Sequence, residues 1–315
     1  MVLRIFTIIL GFFVVLVNGF TDSPSSIATA TASGAIKPST ARLICGAFNF
    51  LGTLLASVFC YSVAEFVYSL SSLQKNSLKG TLAVFLTVII FSLICLRLGL
   101  PSSESHAIIS SLVGASFASC GKLFNLKNVG YVFVFMVLSC ICAYAFSYVL
   151  GKAFKGGLAY DKLQYLSCSM TSFMHGWPDG QKLLSVIVIL FGAELNSKSG
   201  APPWLILAVS ITLAIGSYIG SSKISKSLGE DVVFLNHKAS FISDVGTYLS
   251  LLVFSLFGAP VSTGNVKSLA IMGAGKAEGE KINKKVALRL IIVSVATFPV
   301  CFIIGAIIMR LLLAL

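Results

Sequence analysis

The chain has 315 residues, 57% hydrophobic and 11% charged, with a mean hydropathy of +0.95 and a net charge of +12. That leaves too little polar surface to cover a water-soluble globule, and the long apolar runs lack the period-two alternation of a membrane β-barrel, so the composition is that of an all-α integral membrane protein. The lysines are scattered over connecting segments and form no basic stripe, which excludes nucleic acid as a partner and fits a positive bias of cytoplasmic loops.

In chain order, a first apolar helix runs from about Leu3, is interrupted near Asn18–Pro24 and resumes to about Ala35. Arg4 followed by Ile5–Val17 resembles a cleaved signal peptide, but Asn18–Ser23 has a partner motif at His175–Gly180, and a discarded segment has no reason to share an internal period. A helix over 40–68 and another from Lys79 to Leu98 follow. At Gly99-Leu100-Pro101 the chain breaks, because proline lacks a backbone donor and disfavours helix in the residue before it. Ala107–Ser119 is too short to span alone and reads as a half-helix starting inside the membrane. A span from about Val129 to Leu150 closes the first half.

The second half repeats this order. It has a broken helix around Trp177–Gly180, a span over Trp204–Gly220, a long helix ending at Phe257, a break at Gly258-Ala259-Pro260, a re-entrant half-helix over Asn265–Gly275 and a final span. The linker Gly151–Asp161, with three glycines and two lysines, divides the chain into repeats 1–157 and 158–315. Lys152, Lys155 and Lys162 near the linker, and Lys276, Lys281, Lys284, Lys285 and Arg289 before the last span, place both loops in the cytoplasm of a multi-pass cell-membrane protein. With an odd number of crossings per half, both termini are then extracellular and the repeats have inverted topology. The eight cysteines sit mostly in apolar segments without metal or redox spacing and read as packing residues.

The duplicated motifs carry the chemistry. Asn18-Gly19-Phe20-Thr21-Asp22-Ser23 and His175-Gly176-Trp177-Pro178-Asp179-Gly180 place Asp22 and Asp179 157 residues apart, while Pro101 and Pro260, and Gly114 and Gly273, keep an offset of 159. After the two prolines, Ser103 and Ser105 in the first copy and Ser262 and Thr263 in the second put hydroxyls where a half-helix begins. A helix start offers free N–H donors and the positive end of its dipole, so two facing starts suit a tetrahedral oxyanion without a permanent positive charge. A carboxylate in a membrane must be paired, protonated or bound to an ion, so Asp22 and Asp179, at breaks where unwound carbonyls can help, suit a coupling cation. Gln181 and Lys182 either contact the anion or are ordinary helix-start residues. Arg97 either pairs with Glu104 or snorkels to the interface. His106 and His175 read as structural donors rather than metal ligands, and Glu65, Asp244 and His237 as interfacial groups by default, with a place in the cavity as the alternative.

At these residues the chain resembles the inorganic phosphate transporter (PiT) family, whose duplicated signature has the forms GANDxxNA and HGANDxQK, each followed by a GLPxSTTH-like segment. Gly19 and Asp22 match the first signature, His175, Gly176, Asp179, Gln181 and Lys182 the second, and Gly99–Pro101, Ser103, Ser105 and His106 the first re-entrant segment. Gly258, Pro260, Val261, Ser262 and Thr263 match the other re-entrant segment. The departures are Thr21 and Pro178 at the Asn of each Asn-Asp pair, Ser25 for a later Asn, Glu104 for a Thr, and Gly264-Asn265 for Thr-His.

The resemblance implies two inverted repeats with phosphate between the hairpin tips and sodium or protons beside the signature aspartates. Ser103, Ser105, Ser262, Thr263, Gln181 and Lys182 are then the anion-binding candidates, and Asp22, Asp179, Asn18 and Glu104 the cation-coupling ones. Sodium, if it is the ion, falls to the two aspartates. Glu104 beside an anion raises proton coupling, or an altered substrate such as sulfate, as alternatives. The expected function is cation-coupled transport of inorganic phosphate by alternating access, with no cofactor beyond the coupling ion, lipid as the surroundings and a homo-oligomer left open. An intramembrane hydrolase built on Ser, His and Asp is the reading from another class, but neither serine motif shows a dedicated base.

Overall fold

The computed structural model describes residues 1–60, 62–70, 77–98, 103–120, 126–154, 158–190, 201–220, 222, 225–226 and 232–315. The first half contains α1 (Val2–Thr21), α2 (Pro24–Ala32), α3 (Pro38–Phe59), α4 (Ser62–Ser69), α5 (Ser77–Leu98), α6 (Glu104–Cys120) and α7 (Leu126–Ala153). The second contains α8 (Tyr160–Leu190), α9 (Pro203–Ile219), α10 (His237–Leu256), α11 (Thr263–Glu278) and α12 (Lys284–Ala314). The α1–α2 stretch, α3, α5, α7, α10 and α12 are long and apolar enough to cross a bilayer, and α9 is a shorter apolar helix. Only 17% of the most apolar window of α7 and of α12 is buried, against 61% for α10, so α7 and α12 face lipid while α10 is an inner helix.

The main packing contacts recur with the halves exchanged. Helix α6 lies along α12 as α11 lies along α7, α3 packs on α8 as α9 packs on α1, and α5 pairs with α6 as α10 pairs with α11. Small residues set the closest approaches. A Cβ on Gly114 of α6 would stand 2.2 Å from the Phe302 carbonyl oxygen of α12, and one on Gly273 of α11 would stand 2.3 Å from that of Tyr144 in α7. Gly52 of α3 abuts the Phe173 carbonyl of α8, and Gly216 of α9 that of Leu16 in α1, in the same reciprocal way. Close backbone contact is how helices associate where burial from water supplies no drive.

Helix direction completes the inverted arrangement. Along α6, His106 meets Phe298 and Phe117 lies by Ala306 and Arg310, so α6 and α12 are parallel. Gly273 meets Tyr144 and Ala277 meets Gly151, so α11 and α7 are parallel too. Ser103 and Ser262, which precede α6 and α11, touch in the interior. From that point the two helices diverge, one toward the C-terminal end of α12 and the other toward the linker end of α7.

Several local expectations change. The helix expected over 40–68 is divided: Cys60 is extended (φ −151°, ψ 104°), and the N–H groups of Val63 and Ala64 that start α4 donate to Gln181 Oε1 at 3.2 and 3.3 Å. A side-chain cap thus stabilises a second helix start. The interruption at Asp22–Ser23 is a kink rather than an unwound segment, since both residues keep right-handed helical dihedrals and Pro24 opens α2. The break expected at Trp177–Gly180 is not formed, and α8 runs through Pro178 unbroken. Thr53 Oγ1 of α3 donates to the Gly176 carbonyl at 3.0 Å, so a neighbouring helix is tied to α8 two residues before the proline. Helices α6 and α11 start at Glu104 and Thr263, earlier than expected, with Ser262 Oγ accepting from Asn265 N at 3.5 Å. The Gly99–Pro101 break lies outside the described residues.

A Gly114→Ala change forces apart the α6–α12 backbones and is expected to destabilise the protein by about 1–3 kcal/mol. Gly130→Ala in α7, where a Cβ meets nothing within 4 Å, is the control and stabilises slightly through helix propensity. Thermal unfolding of the two purified variants checks the opposite signs.

Candidate functional site

Helix α8 is continuous through its motif, so His175, Asp179 and Lys182 fall on one stripe at i, i+4 and i+7. Lys182 Nζ stands 2.5 Å from Asp179 Oδ1. It also donates to Ser105 Oγ at the start of α6 and to the Val261 carbonyl, at 3.0 Å, just before α11. One ammonium therefore ties α8 to both hairpin tips. The tips themselves join where Ser103 Oγ donates to Ser262 Oγ at 2.9 Å.

Asp22, at the C-cap of α1, accepts from Thr263 Oγ1 at 3.3 Å and lies 4.0 Å from His175 Nε2, which is itself 3.6 Å from Asp179 Oδ2. His175 Nδ1 is 2.7 Å from Asn49 Oδ1 and must donate to it, because Asn49 uses its amide nitrogen on the Cys45 carbonyl. That fixes the tautomer and turns the Nε2 lone pair toward the two carboxylates. Glu104 accepts from Thr21 and, at 3.0 Å, from Ser92. Its Oε2 and the neighbouring Asn18 Oδ1 are buried without a hydrogen-bond donor.

The ten binding and coupling candidates, Asn18, Asp22, Ser103, Glu104, Ser105, Asp179, Gln181, Lys182, Ser262 and Thr263, are at most 2% exposed, and all but Gln181, whose amide reaches α4, lie at this convergence. Two chemistries lie side by side. Asp22, His175 and Asp179 bring one ligand atom each to within 4.8 Å of one another, an acceptor set that fits a cation. Ser103, Ser105, Ser262, Lys182 and two helix starts form a donor set that fits an oxyanion.

A model of the phosphate transporter family matches the chain twice, over residues 18–158 and 155–305. The chain belongs to the phosphate transporter family. A "Probable low-affinity inorganic phosphate transporter" of Bacillus subtilis (strain 168) is 29% identical over 305 residues, which cover 92% of this chain and 91% of the relative. A protein of the same description from Rhizobium meliloti (strain 1021) is 26% identical over 308 residues, 92% of this chain and 90% of its own. A solved structure named "The sodium-dependent phosphate transporter" has a TM-score of 0.87 and 20% identity over 100% of both chains, a likeness that establishes the shared fold. The relatives are transporters, not enzymes.

For this member of the phosphate transporter family, the structure revises several residue readings. Of the two readings of Lys182, contact with the tips is the one seen, and it adds a positive charge to the hydroxyls and helix starts there. Arg97 lies exposed on α5, and Glu104 pairs instead with the Thr21 and Ser92 hydroxyls. His175 is the structural donor it was read as, to Asn49, and its other ring nitrogen also faces both aspartates; its spacing four residues before Asp179 was the signal. Gln181 caps α4 through Oε1, while its Nε2 is buried without an acceptor.

Asp244, read as interfacial, is fully buried in a second charged network. It pairs with Lys267 of α11 and accepts from Thr29 of α2 at 2.7 Å and from Gln164 and Ser167 of α8, the latter at 2.9 Å. Four helices near the site are thus cross-linked by one carboxylate. Lys267→Met leaves that carboxylate buried and unpaired, and should destabilise the protein by about 3–5 kcal/mol. The double variant Lys267→Met/Asp244→Asn is expected to recover most of the loss, as read by thermal unfolding.

Proposed function

We propose that the chain is a cation-coupled secondary transporter of inorganic phosphate working by alternating access in the cell membrane, with residues 1–157 and 158–315 as its two repeats. The observation that carries this reading is the meeting of the two hairpin starts, through Ser103 and Ser262, beside the paired carboxylates Asp22 and Asp179. Phosphate is held by Ser103, Ser105, Ser262, Thr263 and Lys182, with Gln181 Nε2 as a further donor. The cation is held by Asp22 and Asp179, with His175 Nε2 beside them and Asn18 and Glu104 behind.

Coupling follows from charge. Three carboxylates against one ammonium, all buried, disfavour a bare anion, so a cation must enter with it. The affinity each ion gains from the other is then equal by linkage. Sodium is the ion we favour over the proton: the donor-free acceptors around Asp22 suit it, and the solved relative of the same fold is named sodium-dependent. The repeat boundary is supported by the two family matches, which meet at residues 155–158. The linker is assigned to the cytoplasm and both termini to the outside, on the lysine bias of the loops.

In proteoliposomes, Asp22→Asn and Asp179→Asn should each lower sodium-driven phosphate uptake by about two orders of magnitude or more while the proteins stay folded, the scale of losing a buried charge contact. Full uptake by both variants would remove the aspartates from the mechanism. A tenfold excess of sulfate should leave phosphate uptake within about twofold. Strong competition would identify a sulfate permease instead, the reading that Glu104 at the first tip favours.

A further inference from the structure

A cavity of about 320 Å³ opens beside the α1–α2 kink. Its lining includes Arg42 and Lys226 and the hydroxyl residues Thr31, Ser217, Ser222 and Ser225, with no carboxylate among the described residues. Its volume is at the small end of ligand pockets, about 300–1,000 Å³, and suits a small hydrated ion.

The charges and the depth of this cavity are ordered. Arg42 and Lys226 are exposed at its rim, whereas Ser217 is 1% exposed at its floor. Ser217 Oγ is 2.7 Å from Ser23 Oγ, which is 3.5 Å from His175 Nδ1 and belongs to the residue after Asp22. Pro24, the next residue, lines the cavity as well. Side by side, then, are a charge-selective mouth and an unbroken polar path from its floor to the buried convergence. Cations lining a concave, low-dielectric mouth concentrate anions, and because these two are solvated they do so without trapping them.

We propose that this cavity is a peripheral anion station, where one phosphate oxyanion rests against Arg42 and Lys226 on its way to or from the central site. The inference builds on the phosphate-transport reading above and adds a second, separable binding position. A free phosphate and a lipid headgroup share the chemistry this cavity recognises, so the test separates them.

The purified full-length protein, lipid-depleted in detergent, is treated with phenylglyoxal, and modification of each arginine is followed by peptide mass spectrometry. About 10 mM inorganic phosphate is expected to slow modification of Arg42 about threefold or more by occupancy, and to leave the exposed Arg97 and Arg310 unaffected. The same protection is expected in Asp179→Asn, whose central site is disabled. Protection absent from both proteins, while the wild type still takes up phosphate, overturns the station and leaves the transport reading standing. Protection lost only in Asp179→Asn makes Arg42 a reporter of the central site and also overturns it. So does protection by phosphatidylglycerol nanodiscs without phosphate, which would assign the cavity to lipid. In phosphate exchange across proteoliposomes, Arg42→Gln should raise the half-saturating phosphate concentration about fivefold, and Arg42→Lys less than about twofold. Equal shifts for both, or none for Arg42→Gln, contradict a role for the charge.

Discussion

The first turn of a helix has up to four backbone N–H groups with no partner inside it, and within a bilayer no water makes good the deficit. Helices α6 and α11 both begin in the protein interior, at Ser103 and Ser262, so the fold must supply partners for those groups or leave them facing something that will. It brings the two starts together through the Ser103 and Ser262 hydroxyls, and the Lys182 ammonium, itself a donor, reaches Ser105 Oγ and the Val261 carbonyl beside them. The glycine contacts of Gly114 and Gly273 hold α6 and α11 hard against the last helix of the opposite half, which keeps the starts in register.

Within this symmetric frame the charges are deliberately unequal. Asp22 and Asp179 correspond, but Lys182 faces a site whose counterpart is Ser25, His175 corresponds to Asn18, Glu104 to Thr263, and Ser105 to Gly264. The backbone is duplicated while each half contributes different chemistry, one mainly an ammonium and an imidazole, the other an additional carboxylate. A single pocket shared by two halves can then hold unlike ions side by side.

What was legible in the sequence follows from what is local. Duplicated Asp22 and Asp179, and hydroxyls after Pro260, identify the converging segments because each signal lies within a few residues. The long helix over 40–68 misled because its division depends on Gln181, a residue more than a hundred positions away that caps the start of α4. Pro178 misled in the opposite sense: a proline in an isolated helix favours a break, but α8, packed among its neighbours, runs through it. Asp244 looked interfacial because its neighbours are polar. Its partner Lys267 lies 23 residues on, on the next helix, and only tertiary packing brings the two together.

The central claim is that two half-helices of opposite repeats begin against each other inside the membrane. The most direct measurement places cysteines at Ser103 and Ser262 in a background with the eight native cysteines replaced, opens the chain by a protease site in the 154–159 linker, and oxidises the membranes. The account predicts that the two halves stay joined by a disulfide on a non-reducing gel and separate on reduction. Halves that never cross-link, although each cysteine reacts with a thiol reagent, would contradict it.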